Sequence, residues 1–126
     1  MNSLSMTARG REIVMYFDTE AWLDVEREFG SLGQMYEQLD QDKAPMTVNL
    51  RLAEITARAG ARHAGQEETP VTLAWMIANL TPKQARKINT LAKMAVVQGM
   101  AREDVDDEDD DIDVTAEELQ KKTENP

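Results

Sequence analysis

The chain has 126 residues, of which 41% are hydrophobic and only 5% aromatic, and its net charge is −10. This length predicts one compact domain with a mainly aliphatic core, and the absence of cysteine excludes disulfides, thiolate metal sites and cysteine nucleophiles. No apolar run approaches the ~20 residues that span a bilayer, and the N-terminus lacks the apolar segment of a secretory signal. We therefore expect a soluble cytoplasmic protein with no membrane partner.

The negative charge is concentrated at one end of the chain. Residues 1–102 contain equal numbers of acidic and basic residues, so the whole net charge comes from residues 103–126. Repulsion between like charges predicts a largely disordered acidic tail there. It would follow a helical domain at 11–102 and a flexible terminus at 1–10. Because a neutral body lacks the basic face that duplex binding requires, no nucleic-acid partner is expected.

The first predicted element is extended. Residues 11–17 are rich in β-forming side chains, and Ile13, Met15 and Phe17 would share one face. This pattern predicts a single short strand or an extended arm. Because one strand alone is not stable, it must pair with another segment, which leaves self-association with a second copy open.

A short helix is predicted from residue 18 to residue 30. Asp18 or Thr19 can cap its N-terminus by accepting hydrogen bonds from the free amides of the first turn. Residues at i, i+3 and i+7 would form its apolar face: Trp22, Val25 and Phe29.

A tight corner follows this helix. Gly30 occupies the position where a helix most often ends in a left-handed residue. Ser31 can then cap a second helix, whose apolar positions would be Leu32, Met35, Tyr36 and Leu39.

Three further helices are predicted at 46–59, at 71–80 and from Thr81 onward, with a polar loop at 60–70 whose first residues could extend the third helix slightly. Thr81 and Gln84 form a capping-box pattern, and Pro82 suits a first helical turn because its missing N–H costs nothing there. The fold class is therefore mainly α, a small bundle of about five short helices. The inward positions would be Val48, Leu52, Ile55 and Ala59 in the third helix, Leu73, Met76, Ile77 and Leu80 in the fourth, and Ile88, Leu91, Ala92 and Ala95 in the fifth.

Trp75 lies off the apolar stripe of the fourth helix. Two interpretations stay open at this point. Either the helix is buried on two faces, or Trp75 is displayed and could anchor an interface, a role in which Trp is enriched.

No constellation of catalytic residues is present. His63 is the only histidine, which excludes multi-histidine metal sites, and in a polar loop it is expected to be solvated. Asp24, Glu26 and Glu28 are read as a solvated helix face. The acidic run from Asp104 lacks the glycine that an EF-hand loop requires at its sixth place. We expect no catalytic, cofactor or metal site and no small-molecule substrate.

Three stretches together form a familiar pattern: "FDTEAWLDVEREFGSLGQM", "LAEITARAGARHAG" and "TPVTLAWMIANLTPKQ". Over roughly residues 11–100 the chain resembles the tail assembly chaperones of long-tailed bacteriophages and gene transfer agents. The best matches are Glu26, Phe29, Gly30 and Ser31. The resemblance implies a protein without enzyme activity that binds the helical tape-measure protein, covers its apolar surface and recruits tail-tube subunits. It further implies action in the host cytoplasm and absence from the mature virion.

The same family often makes a longer product by ribosomal frameshifting near the end of the short one. Here Gln120, Lys121 and Lys122 can be encoded as CAA AAA AAG, which contains a slippery heptamer. A frameshifted longer form is therefore a hypothesis, and two ordinary solvated lysines are the alternative.

A rival interpretation is an acidic nucleic-acid mimic that inhibits a host defence protein, of the anti-restriction or anti-CRISPR type. Its carboxylates would occupy the basic groove of the target. Such mimics usually spread their charge over a folded surface, whereas the acids here are concentrated in the tail. Loss of residues 103–126 should abolish binding by a mimic and spare the main partner of a chaperone.

Overall fold

The computed structural model describes residues 4–39, 44–66 and 71–102. Within these ranges an antiparallel β-hairpin precedes five helices, which confirms the prediction of a mainly helical fold with β-structure at the N-terminus. The acidic tail and the proposed frameshift site lie outside the described residues. The elements are β1 (Leu4–Ala8), β2 (Arg11–Met15), α1 (Thr19–Phe29), α2 (Leu32–Gln38), α3 (Met46–Ala64), α4 (Leu73–Asn79) and α5 (Pro82–Ala101).

The hairpin adds a strand that sequence analysis did not predict. Residues 1–10 were expected to be a flexible terminus, but Leu4–Ala8 pair with β2, from Leu4 opposite Met15 to Ala8 opposite Arg11. Arg9 and Gly10 connect the strands with φ values of 55° and 78°, as a type I′ turn requires. The single predicted strand therefore finds its partner in the residues that precede it.

Helix α3 lies along the outer edge of β2. The Tyr16 N–H donates to the Thr56 carbonyl at 3.1 Å, and the Gln66 side-chain amide donates to the Glu12 carbonyl at 3.4 Å. Between these bonds, a Cβ on Gly60 would lie 1.8 Å from the Val14 carbonyl oxygen. Only glycine allows the helix to approach the strand this closely, and the backbone groups at this edge are thereby covered.

The same contact explains why α3 is longer than predicted. Sequence analysis placed residues 60–70 in a loop that begins at Gly60, but the helix continues to Ala64 and ends at Gly65, which is left-handed with φ 69° and ψ 29°. Gly60 is therefore a packing position inside the helix. A glycine here is typical of a helix end, but in this fold it is required by the close contact with β2.

A single core joins the hairpin to the helices, and it is aliphatic as predicted. Three positions that were predicted to face it are exposed instead: Trp22, Tyr36 and Ile77. In α4 and α2, which have only seven residues each, the buried methionine lies one residue before the exposed side chain. Since neighbouring helical residues are separated by about 100°, a short helix cannot bury both.

The predicted N-terminal caps of three helices, α1, α2 and α5, are correct. The Asp18 carboxylate accepts from the Ala21 N–H at 2.8 Å, and the Ser31 hydroxyl accepts from the Gln34 N–H at 3.0 Å. Thr81 and Gln84 form the reciprocal capping box, with Pro82 in the first turn of α5. Each of these caps depends on atoms within one helical turn, which is why the sequence alone predicts them.

Gly30 forms the corner between α1 and α2. Its φ is positive, as predicted, but its ψ of −51° with φ 105° lies outside the left-handed helical region. L-residues are excluded from this combination by clashes of their Cβ atom. The corner therefore depends on glycine even more strictly than a left-handed cap would.

Tyr16 connects three parts of the fold just beyond β2. Its ring stacks on the His63 ring, with centroids 3.9 Å apart, and the Arg102 guanidinium lies 4.3 Å from the Tyr16 ring centroid. Arg102 also donates to the Phe17 carbonyl at 3.2 Å. His63 is exposed, as predicted, but it lies in α3 and not in a loop. The last described residue is fixed beside the hairpin.

We predict that Gly60→Ala lowers the free energy of unfolding by at least about 2 kcal/mol, because the added methyl group must displace the β2 backbone. Gly33→Ala is the matched control, since its Cβ would meet only the Ser31 hydroxyl at 3.9 Å. Urea unfolding of both variants measures the difference. Equal stability of the Gly60→Ala and Gly33→Ala proteins would contradict the close contact between α3 and β2.

We predict that Gly30→Ala is destabilising by about 1–3 kcal/mol, because alanine is strained at a positive φ. Gly33→Ala, three residues further on in α2, again provides the control. Thermal melting of the two variants beside the unmodified chain makes the comparison. A Gly30→Ala melting temperature at or above that of the unmodified protein would show that the corner tolerates a side chain.

Candidate protein-interaction surface

A ladder of ion pairs fixes α1 to α3. Three arginines of α3 reach four carboxylates at the start of and along α1: Arg51 to Glu28 at 2.8 Å, Arg58 to Asp24 at 3.6 Å, and Arg62 to Asp18 at 3.2 Å and Glu20 at 3.4 Å. The residue numbers rise along one helix as they fall along the other, so the two helices run antiparallel. The ladder thereby sets which side of α1 faces α3.

The ladder contributes orientation more than stability. Apart from Asp24, its side chains are partly exposed to solvent, and single exposed ion pairs contribute at most about 1 kcal/mol each. Asp24 is the most covered carboxylate and is contacted by Arg27 as well as Arg58. The predicted solvated face is therefore correct for Glu26 and Glu28, which are exposed although Arg51 pairs with Glu28, whereas Asp24 is mostly covered.

The opposite side of α1 presents large apolar side chains to solvent. Ala21, Val25 and Phe29 are the buried residues of this helix, while Trp22 is 36% exposed and Leu23 is 49% exposed. Trp22 was predicted to share the core face with Val25 and Phe29, but Ala21 takes that place. Trp22 follows Ala21 at the border of the buried stripe, so it is covered only in part.

We call the exposed side chains of Trp22, Leu23 and Glu26 the α1 outer face. A tryptophan gives a large, rigid contact area with few rotatable bonds, which is why Trp is common among residues that dominate binding energies. Leu23 extends the apolar area, and Glu26 forms no ion pair with any of the described residues. This face can therefore bind an apolar segment of another protein that has basic residues at its border.

The other predicted interaction residues have structural roles. The Gly30 N–H donates to the Glu26 carbonyl at 2.9 Å, and Ser31 caps α2. Thr81 and Pro82 begin α5. These residues build the helix ends that hold the α1 outer face and α5 in place, and they are not themselves positioned as an apolar contact surface.

The structure places Trp75 in an intermediate position, neither fully buried nor fully displayed. Its side chain is half-buried and packs against the core, and the Arg11 guanidinium lies 5.1 Å from the ring centroid. Thr72 caps the helix through the Trp75 N–H at 3.0 Å. Because one side of the ring is packed and a cation lies over it, Trp75 is held in the fold.

A second apolar surface lies between β1 and α5, and sequence analysis missed it. A groove of about 370 Å³ is lined by Leu4, Lys93, Met94, Val97 and Gln98, which we call the β1–α5 groove. Met94, Val97 and Met100 are spaced three residues apart and are all exposed. This spacing, beside the buried stripe of the same helix, was the available signal in the sequence.

Helix α5 also carries unbalanced positive charge. Lys83, Arg86, Lys87 and Lys93 lie on it, and the helix contains no acidic residue. Across residues 4–39, 44–66 and 71–102, none of these four cations forms an ion pair. Three of the four cations lie in the N-terminal half of α5, while Lys93 lies in the C-terminal half beside the exposed apolar side chains.

In the described part of the chain, no group of three or more His, Asp or Glu side chains could hold a metal ion. None of its helices is both long and apolar enough to cross a membrane. Comparison with protein families, with curated proteins and with solved structures finds no match to this chain.

Proposed function

We propose that the protein is a non-enzymatic phage tail assembly chaperone, which binds the tape-measure protein and recruits tail-tube subunits in the host cytoplasm. The resemblance over residues 11–100 supplies the family. The observation that supports it most directly is the α1 outer face, where Trp22 and Leu23 are exposed on a helix that is clamped to α3. A chaperone of this kind needs exposed apolar side chains on a rigid support.

The client would bind as an amphipathic helix laid against α1. Such a helix buries apolar residues at i, i+3, i+4 and i+7 on a complementary apolar surface. Trp22 and Leu23 would cover those residues, and Glu26 would pair with a basic residue at the border. Because α1 is held in position before binding, little further ordering is needed when the client arrives.

The charge distribution favours a chaperone over a nucleic-acid mimic. A mimic needs a folded surface on which carboxylates are spaced like phosphates. In the described residues, the carboxylates of α1 other than Glu26 are paired with arginines, and α5 is basic. A target with a basic groove would meet these cations as well as the carboxylates.

The test is co-expression with the tape-measure protein from the same genome, followed by affinity capture and measurement of the dissociation constant. We predict that Trp22→Ala combined with Leu23→Asp weakens binding by at least about thirtyfold, since truncating a central anchor costs 2 kcal/mol or more. Ile77→Asp is the control, because Ile77 is an exposed aliphatic residue on a different helix.

Equal loss of binding in the Trp22/Leu23 and Ile77 variants would contradict the assignment of the α1 outer face. A second variant distinguishes a chaperone from a nucleic-acid mimic. It is the full-length chain with the acidic residues of 103–113 replaced by Asn and Gln. A chaperone keeps its tape-measure binding after this change. Loss of all protein binding in that variant would favour the mimic.

A further inference from the structure

The hydrogen-bonding pattern of the hairpin leaves one edge of β1 open. A two-residue turn is closed by a hydrogen-bonded pair, here Ala8 and Arg11, and bonded and non-bonded pairs then alternate along the ladder. The backbone groups of Ser5 and Thr7 therefore point away from β2. The same alternation directs Glu12, Val14 and Tyr16 of the other strand toward α3, in agreement with the contacts described above.

The two edges of the hairpin differ in how they are covered. Helix α3 covers the β2 edge, whereas beyond the ladder no hydrogen bond reaches the backbone of β1 from any of the described residues. The Thr7 side chain is exposed. The strand sequence, LSMTA, contains neither a charged residue nor a proline, the devices that usually prevent an exposed edge from pairing.

An apolar surface lies directly beside the open edge. The β1–α5 groove begins at Leu4 of this strand, and Met94 and Val97 of α5 line it. An added strand would satisfy the Ser5 and Thr7 backbone groups and cover these side chains at the same time. The two unpartnered surfaces thus form one continuous site.

We propose that a second copy of this chain occupies the site, with the two β1 strands paired antiparallel about a two-fold axis at Met6. Ser5 of each copy then lies opposite Thr7 of the other and exchanges backbone hydrogen bonds with it. This register pairs all five residues of the strand and places no like charges opposite each other. The two hairpins become one four-stranded sheet, which is more stable than an isolated two-stranded hairpin.

The register also brings together the apolar groups beside the strand. Leu4 of one copy lies opposite Ala8 of the other, and both residues belong to the apolar side of the hairpin. The groove beside each Leu4 then lies next to the second hairpin. The α1 outer face belongs to neither element, so a client could bind each copy of the dimer independently.

Sedimentation equilibrium of the full chain over a range of concentrations tests the proposal. We expect a monomer–dimer equilibrium, and we expect Val97→Glu to raise the dimer dissociation constant at least tenfold by placing a charge in the groove. Ile77→Glu is the matched control, since Ile77 and Val97 are both 61% exposed. A chain that stays monomeric, or a dimer that both variants weaken equally, would overturn the proposal.

Cysteine cross-linking tests the register, because the natural chain has no cysteine. Ser5→Cys and Thr7→Cys chains are oxidised in air, each alone and as an equal mixture. The proposed pairing predicts a mixed disulfide that forms several-fold faster than either single-variant disulfide. Far-UV circular dichroism of each variant verifies that it is folded. Single-variant cross-linking as fast as that of the mixture would overturn the register.

Discussion

The contact on which the rest of the fold depends is the approach of α3 to the edge of β2, where Gly60 lies against the Val14 carbonyl. A two-stranded hairpin has little stability of its own, and here α3 lies where a third strand would be. Thr56 of the helix accepts from Tyr16, and Gln66, just beyond the helix, donates to Glu12. This arrangement places the apolar side of the hairpin over the core. It also fixes the outer edge of β1 as the side of the sheet that no described helix bonds to.

Helix α3 organises the opposite side of the molecule by a different interaction. Its arginines pair with carboxylates at the start of and along α1, whose buried face is formed by Ala21, Val25 and Phe29 while Trp22 and Leu23 are exposed. In α3, therefore, Gly60 allows the close contact with β2, and the arginines contact α1. The two proposed surfaces, for a client and for a second copy, lie on elements that α3 separates.

The sequence predicted those features whose causes act within one helical turn. The caps at Asp18, Ser31 and Thr81 are correct because each needs only its own side chain and nearby amides. The exposure of Trp22 was not predictable from periodicity, since the packing buries its neighbour Ala21 together with Val25 and Phe29. Strand β1 was missed although LSMTA alternates apolar and polar residues, because its turn uses Arg-Gly in place of the more familiar Asn-Gly. Gly60 could not be interpreted without knowing that a strand lies against it.

The anchoring of Arg102 has a consequence for whatever follows it in the chain. Its guanidinium is held by the Phe17 carbonyl and the Tyr16 ring, so the end of α5 is tied to the base of the hairpin. The chain that follows residue 102 therefore starts from a defined place, next to the residues where β2 leads into α1. The hairpin and the end of α5 share this place although they lie far apart in the sequence.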